Sequence, residues 1–132
     1  MIKHTSHIRV RYAETDQMHM AYYARYLDYF EVARTEMLRA KGMPYRSFEE
    51  EGYLLPVLEA HVNYLQSARY DDELRIETTL DFSGGAVLRI EYNITREGQS
   101  IATGYTRHAF IRASSGKPCR PPKRFLEAIG QH

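Results

Sequence analysis

Residues 22–41 of the chain read YYARYLDYFEVARTEMLRAK. Apolar side chains recur there every three or four positions and charged side chains occupy another face, which predicts a helix of about five turns. Further apolar residues, such as Leu27 and Val32, widen the apolar surface far beyond one stripe. We therefore expect a long helix that is enclosed on most sides and ends at Lys41-Gly42, ahead of Pro44.

Around this helix the sequence changes to a period of two, which is typical of strands. A first strand (residues 7–12) and a loop (13–21) precede the helix, and a short second helix (45–51) follows it. Alternating segments near residues 58–64, 74–82, 88–94 and 101–112 then predict four more strands, with a hairpin connection at residues 83–86. The tail, residues 114–132, has a turn at 115–118 and an apolar piece, 125–129, expected to cap an end of the sheet.

The order β-α-β-β-β-β predicts an α+β fold in which one antiparallel sheet of about five strands wraps around the long central helix. Such a layout leaves a sheet edge and one flank of the helix uncovered. Pairing with a second copy is the simplest way to cover them. We expect a homodimer, or a homotetramer built from two dimers.

Composition limits the classes of protein that fit. The 132 residues suit one domain spanning 1–132, and a hydrophobic share of 43% without an apolar run of membrane-spanning length argues against membrane insertion. The first residues lack the features of a secretory signal, so a cytoplasmic location is expected. A formal charge of +1 gives no reason to expect a nucleic-acid partner, and the single cysteine, Cys119, can form no intrachain disulfide.

The loop before the long helix carries the chemistry. Arg11-Tyr12-Ala13-Glu14-Thr15-Asp16-Gln17-Met18 places the carboxylate of Asp16 on a short turn, seven residues before the amide of Tyr23. An aspartate in this position commonly caps a helix or orders a loop. Beside unpaired amides at the positive end of a helix, it is also placed for acyl transfer, as a nucleophile or a base next to an oxyanion site.

The chain resembles hotdog-fold acyl-CoA thioesterases of the 4-hydroxybenzoyl-CoA thioesterase type, including relatives associated with the Tol-Pal envelope system. The resemblance covers essentially the whole chain. It departs from the family pattern at His19, where relatives usually carry a small residue, and at Tyr23, where the common run has His. The matching residues are Arg11-Tyr12-x-Glu14-Thr15-Asp16-x-Met18, Tyr22, Tyr26-Leu27, Phe30-Glu31, Ala33-Arg34-Thr35-Glu36, Ala68-Arg69-Tyr70-Asp71-Asp72, Leu74 and Arg120-Pro121-Pro122.

This resemblance implies hydrolysis of an acyl-CoA thioester without cofactor or metal. It further implies that Asp16 attacks the thioester carbonyl or activates a water, and that the backbone amide of Tyr23 is the oxyanion donor. Candidate substrate contacts are Met18, His19, Tyr22, Tyr26 and, for the coenzyme A phosphates, Arg69.

Weaker alternatives remain at several positions. Glu31 or Glu36 would be the catalytic carboxylate if the chain followed a different hotdog branch, and Glu31 is also spaced to pair with Arg34 across one helical turn. Two roles are open for the basic residues of the tail: contact with the phosphates of coenzyme A, or a solvated surface. These residues are Lys117, Arg120, Lys123 and Arg124. The scattered histidines have no spacing that specifies a metal site.

Two functions from other classes fit the same residues. One is a non-hydrolytic protein that binds acyl-CoA or an acyl carrier. The other is a hotdog hydratase or dehydratase that uses His19 with Asp16.

Overall fold

The computed structural model of the chain describes residues 1–82 and 84–130. In chain order the elements are β1 (Ile2–Arg9), a 3₁₀ turn (Tyr12–Glu14), α1 (Arg25–Ala40), α2 (Tyr45–Glu50), β2 (Tyr53–Leu54), β3 (Val57–Tyr64), β4 (Glu73–Asp81), β5 (Val87–Arg96), β6 (Gln99–Ala109), β7 (Ile111–Arg112) and α3 (Lys123–Ala128). Within the two described ranges no helix is both long enough and apolar enough to cross a membrane. Five of the strands form one antiparallel sheet, as predicted; their order is β1-β4-β5-β6-β3, and β2 pairs separately with β7.

The middle of the sheet shows the alternation that the sequence predicts. On β4, Ile76 and Leu80 are fully buried and the charged residues between and beside them are exposed. β5 pairs with β4 so that Ile94 lies opposite Ile76 and Ile90 lies opposite Leu80. Because alternate side chains share a face, these residues form one apolar layer beneath α1.

Helix α1 lies on this apolar layer and buries one side of itself. Leu27 and Val32, on the other side, remain 40% and 41% exposed. The prediction of a helix enclosed on most sides is therefore wrong for the single chain, since one sheet covers only one flank of a helix. The buried residues of α1 are Tyr26, Tyr29, Phe30, Ala33, Met37 and Leu38.

The sequence predicted the C-terminal end of α1 more accurately than its N-terminal end. The helix starts at Arg25, three residues after the predicted start at Tyr22, because residues 22–24 form a turn in which the Arg25 N–H donates to the Tyr22 carbonyl at 2.8 Å. The predicted stop is confirmed. Gly42 adopts a left-handed φ of 75° and its N–H donates to the Arg39 carbonyl, which closes the last turn.

The first strand lies earlier than predicted. β1 covers Ile2–Arg9 in place of residues 7–12 and pairs along its whole length with β4. As an edge strand it needs few apolar residues. Its two buried positions are Ile2 and the polar Ser6, so the alternation of apolar and polar residues that predicts a strand is weak here. Tyr12 is exposed in the 3₁₀ turn and continues no strand.

Strand β3 is the other edge of the sheet, and the period of two in its sequence implies that one of its faces is buried. It is exposed along almost its whole length, including Leu58 at 53% and Tyr64 at 47%. A register shift between Val57 and Glu59 also interrupts its pairing with β6. The alternation of its sequence is therefore not matched by burial within one chain.

The C-terminal region closes one end of the sheet, as predicted. The last predicted strand is divided at Phe110 into β6 and β7, because β7 leaves the sheet to pair with β2. Phe125 of α3 is fully buried and its ring packs 5.1 Å from that of Phe110 and 6.4 Å from that of Phe48. The predicted hairpin at 83–86 and the tail end include Ser83, Gln131 and His132, which lie outside the described residues.

Contact between α1 and the sheet depends on one glycine. The Phe30 ring stacks on the Tyr92 ring at 4.1 Å and lies over Gly104 of β6. A Cβ atom at Gly104 would sit 2.7 Å from the Phe30 ring and closer still to the His61 carbonyl oxygen. Any larger residue there would therefore displace both the helix and the neighbouring strand β3.

Candidate active site

The residues between the 3₁₀ turn and α1 form a closed loop that holds Asp16. The Asp16 N–H donates to the Met20 carbonyl at 2.9 Å, and Thr15 forms a bridge with Ala21. The Asp16 Oδ1 atom accepts from the N–H groups of Met18, at 2.9 Å, and Met20, at 3.3 Å. Asp16 thus orders its own loop, in the manner of an Asx turn. Its second oxygen, Oδ2, accepts no hydrogen bond from residues that the structure describes.

The turn into α1 leaves two backbone donors without partners. The Tyr22 N–H donates to the Glu14 carbonyl, and the Tyr22 carbonyl accepts from the Arg25 N–H. The N–H groups of Tyr23 and Ala24 donate to no acceptor in the described part of the chain. They lie at the end of the helix where its dipole is positive, so they favour a negative oxygen.

Asp16 and Tyr23 line the same cleft, which has a volume of about 350 Å³. The cleft runs between the Asp16 loop, the start of α1 and the end of β3. Of the predicted substrate contacts, the structure brings Met18, Tyr22 and Tyr26 to it. The remaining residues that line it are Met20, Ala21, Tyr64, Leu65, Gln66 and Ser67.

His19 and Arg69 do not line this cleft. His19 is exposed at the tip of the loop with a left-handed φ of 63°. Its backbone N–H donates to the Asp16 carbonyl at 2.9 Å, but among the described residues its imidazole makes no hydrogen bond or ion pair with the Asp16 carboxylate. This conformation is one that glycine adopts without steric cost. Arg69 lies just beyond the cleft residue Ser67, where its backbone bridges to Met20 and its side chain is exposed.

Glu14 fixes the base of the loop, a role that the sequence analysis did not assign. Its carboxylate is buried and accepts from the Arg11 N–H at 2.8 Å and from the Tyr29 hydroxyl at 3.1 Å. Burial, together with the Glu14 charge, raises the pKa of Tyr29 above its ordinary value, so the hydroxyl keeps its proton. Because Glu14 lies three residues after Arg11, its carboxylate can reach the Arg11 N–H, as the glutamate of a capping box does. No pattern in the sequence predicts the contact of Glu14 with Tyr29.

Tyr64 is a second residue that the sequence analysis did not assign to the site. Its hydroxyl donates to the Tyr23 carbonyl at 2.8 Å, and its ring meets the Tyr26 ring edge-on at 5.0 Å. The Tyr26 hydroxyl in turn accepts from the Ala68 N–H at 3.1 Å. These contacts join the end of β3 to the start of α1. No local pattern in the sequence predicts them.

The alternative residues lie elsewhere. Glu31 makes no ion pair with Arg34 among the described residues, so the predicted pair is wrong, and Glu36 pairs with Arg39. In the tail, Lys123 pairs with Glu127 and Arg124 pairs with Glu51. The residues that line the cleft include none of these carboxylates or tail cations.

Comparisons with known proteins agree with this fold. A protein of Haemophilus influenzae named acyl-CoA thioesterase YbgC is 32% identical over 123 residues, which cover 92% of this chain and 90% of that protein. The structure of a DHNA-CoA thioesterase from Staphylococcus aureus matches with a TM-score of 0.92 and 31% identity over 98% of this chain and 90% of that one.

A 4-hydroxybenzoyl-CoA thioesterase structure, 17% identical, shares the fold with a TM-score of 0.88 over 97% of this chain and 99% of that one. The predicted hotdog fold is thereby confirmed. The model of the thioesterase-like superfamily matches residues 10–129. The chain therefore belongs to the thioesterase-like superfamily.

Proposed function

We propose that this chain is an acyl-CoA thioesterase that hydrolyses an acyl-CoA thioester to a free acid and coenzyme A. The observation that carries the proposal is the cleft shared by Asp16 and Tyr23. Among the described residues, one Asp16 carboxylate oxygen accepts no hydrogen bond and the Tyr23 N–H has no acceptor. The match to a family that includes proteins named acyl-CoA thioesterases supports it. The active unit is one domain over residues 1–132, acting in the cytoplasm without a metal or cofactor.

In the proposed reaction the thioester oxygen accepts a hydrogen bond from the Tyr23 N–H. Negative charge grows on that oxygen as the carbonyl carbon becomes tetrahedral, and a donor placed this way contributes about 2.7–4 kcal/mol. The thiolate of coenzyme A is a good leaving group, so this modest apparatus suffices.

Asp16 supplies the attacking oxygen by one of two routes. As a general base, its Oδ2 takes a proton from water, the hydroxide adds to the acyl carbon, and the departing thiolate recovers the proton. As a nucleophile, Oδ2 bonds to the acyl carbon, the thiolate leaves, and water hydrolyses the resulting anhydride to restore the carboxylate. Both routes need the oxygen that the loop does not occupy.

The substrate contacts follow from the lining of the cleft. Met18, Tyr22 and Tyr26 bring apolar surface to the acyl group. Arg69, whose exposed side chain lies just past the cleft, is proposed to bind the phosphates of coenzyme A. His19 is proposed at the rim of the site, on the tip of the loop.

The chain is further proposed to act as a homodimer, with a tetramer as the larger assembly. β3 is an uncovered sheet edge, and Val57 and Leu58 on it are 46% and 53% exposed. Leu27 and Val32 extend this exposed apolar area onto α1. An unpaired edge beside apolar side chains is a surface that a second copy can cover.

The test is the variant Asp16→Asn. The asparagine side chain keeps an Oδ1 that accepts from Met18 and Met20, so the loop retains its shape while the reactive carboxylate is lost. Thiol release from a panel of acetyl-, hexanoyl-, palmitoyl-, benzoyl- and 1,4-dihydroxy-2-naphthoyl-CoA should fall by about 10²–10⁴-fold, with acyl-CoA binding retained. Asp81→Asn, exposed at the far end of β4, serves as the control and should hydrolyse normally.

Three results would contradict the proposal. Full activity in Asp16→Asn would reject the role of that carboxylate. Tight binding of thioesters without thiol release by the wild-type chain would identify a binding protein instead. Loss or gain of water across a double bond, without thiol release, would identify a hydratase or dehydratase.

A further inference from the structure

We propose that Tyr64 is a positioning residue for the oxyanion site, acting through the peptide group between Tyr23 and Ala24. The inference rests on the proposed thioesterase function and names a residue that the functional assignment does not require. Tyr64 ends β3, and its hydroxyl donates to the Tyr23 carbonyl at 2.8 Å across 41 positions of sequence.

The hydrogen bonds of the turn show why this contact matters. The two unpaired donors belong to two consecutive peptide groups. The first carries the Tyr23 N–H and is held at its carbonyl, that of Tyr22, by the Arg25 N–H at 2.8 Å. The second carries the Ala24 N–H and is held at its carbonyl, that of Tyr23, by the Tyr64 hydroxyl.

Backbone contacts alone hold the second peptide group weakly. The Tyr26 N–H approaches the Tyr23 carbonyl at 3.4 Å, beyond the usual length for such a bond. The Leu27 N–H, which would complete a regular helical turn, donates to Ala24 at 3.3 Å instead. The Tyr64 hydroxyl therefore makes the shortest bond to this carbonyl and fixes the plane of the peptide.

A bond to a carbonyl also strengthens the N–H of the same peptide group as a donor, because the two dipoles polarise each other. Tyr64 thus fixes the backbone dihedral that follows the Tyr23 amide, and it polarises the Ala24 amide beside it. Both amides carry the positive end of the α1 dipole. The expected result is a better-aligned donor pair for the thioester oxygen.

The Tyr64 ring is itself held in place. It packs edge-on against Tyr26, whose hydroxyl is bonded to the Ala68 N–H, and it lines the cleft beside Leu65. Partial burial and its tyrosine neighbours raise the pKa of Tyr64, so the hydroxyl stays protonated and able to donate. The ring and the hydroxyl therefore have separable roles, packing and positioning.

Tyr64→Phe separates them, since it keeps the ring and removes the donor. Because the hydroxyl acts on groups that bond most strongly in the transition state, kcat and kcat/KM should both fall by about tenfold with KM unchanged. Tyr105→Phe is the matched control. The Tyr105 hydroxyl also donates to a residue of β3, Glu59, but on the outer face of the sheet, and this variant should keep wild-type kinetics.

A second measurement follows the thioester directly. Asp16→Asn retains the substrate while turnover is slowed about 10²–10⁴-fold, and the infrared stretch of its bound thioester carbonyl should lie below that of the free thioester. In the double variant Asp16→Asn with Tyr64→Phe, this shift to lower frequency should shrink. A residue that only stabilised the fold would change the melting temperature and leave the carbonyl shift of the folded protein unaltered.

Each outcome bears on a distinct claim. Wild-type kcat in Tyr64→Phe, a change confined to KM, or an unchanged carbonyl shift in the double variant would overturn the role of Tyr64 and leave the thioesterase assignment standing. Absence of thiol release by the wild-type chain would overturn both. A tenfold loss of kcat together with a smaller carbonyl shift would support the role.

Discussion

His108 should make the stability of this protein depend strongly on pH below neutrality. The residue lies on β6, is 1% exposed, and its Nε2 is 2.8 Å from the Thr106 hydroxyl. Burial, and next the positive charge of Arg34, lower the pKa of His108 to about 4, although the nearby carbonyls of Leu55 and Pro56 oppose this shift.

The sign and size of the effect follow from proton linkage. The unfolded chain binds a proton at this histidine below a pKa of 6.5, whereas the folded chain does not until about pH 4. The contribution of the neutral His108 to the free energy of unfolding is therefore fully present above pH 6.5 and is lost as the pH falls toward 4. Between these limits the loss approaches about 3 kcal/mol, and at pH 4.5 it is about 2 to 3 kcal/mol.

Urea unfolding at pH 7 and pH 4.5 measures this loss. The free energy of unfolding of the wild type should fall by about 2 to 3 kcal/mol more than that of His108→Gln, which cannot take up the proton. Comparing each variant with itself at two pH values removes the cost of the substitution. His61→Gln, on the exposed outer face of the sheet, serves as the control and should behave as the wild type.

An equal loss of stability in His108→Gln and the wild type would refute the reasoning. It would mean that the unfolding free energy at low pH is set by the carboxylates and that the buried histidine has no part in it.

Two further predictions concern the backbone. Gly104→Ala should destabilise the fold by at least about 3 kcal/mol, lowering Tm by roughly 10 °C, because the new Cβ collides with the His61 carbonyl. Thr103→Ala on the same strand should change stability by less than about 0.5 kcal/mol in the same thermal melt, and similar Tm values for the two variants would contradict the prediction. At position 19, where φ is 63°, His19→Gly should be more stable to urea than His19→Ala by about 1 kcal/mol. Equal unfolding midpoints would show that the loop relaxes out of this conformation.

The fold could be predicted where local pattern and burial agree. β4 and β5 lie in the middle of the sheet, so their alternation of apolar and polar residues matches what each face meets. The edges of the sheet could not be read in this way. β1 contributes few apolar residues, and most side chains of β3 remain exposed in the single chain.

The candidate site was predictable in its local part. Asp16 and Tyr23 belong to one continuous loop and turn, and a carboxylate ahead of a long helix can be recognised from sequence alone. Glu14 and Tyr64 were missed because their partners, Tyr29 and the Tyr23 carbonyl, lie 15 and 41 positions away. Such contacts depend on how the helix crosses the sheet, and the periodicity of apolar residues in the sequence does not predict this crossing.

The way in which the Asp16 loop closes has a consequence for engineering. Its shape is maintained by main-chain atoms and one carboxylate oxygen, while the side chains of Gln17 and His19 are exposed and that of Met18 lines the open side of the cleft. Positions 17 and 18 can therefore be randomised in a library without changing the hydrogen bonds that orient the aspartate, whereas position 19 should keep residues that accept a left-handed φ. Selection on different thioesters would then change which acyl groups the site accepts, while the backbone that orients Asp16 stays the same.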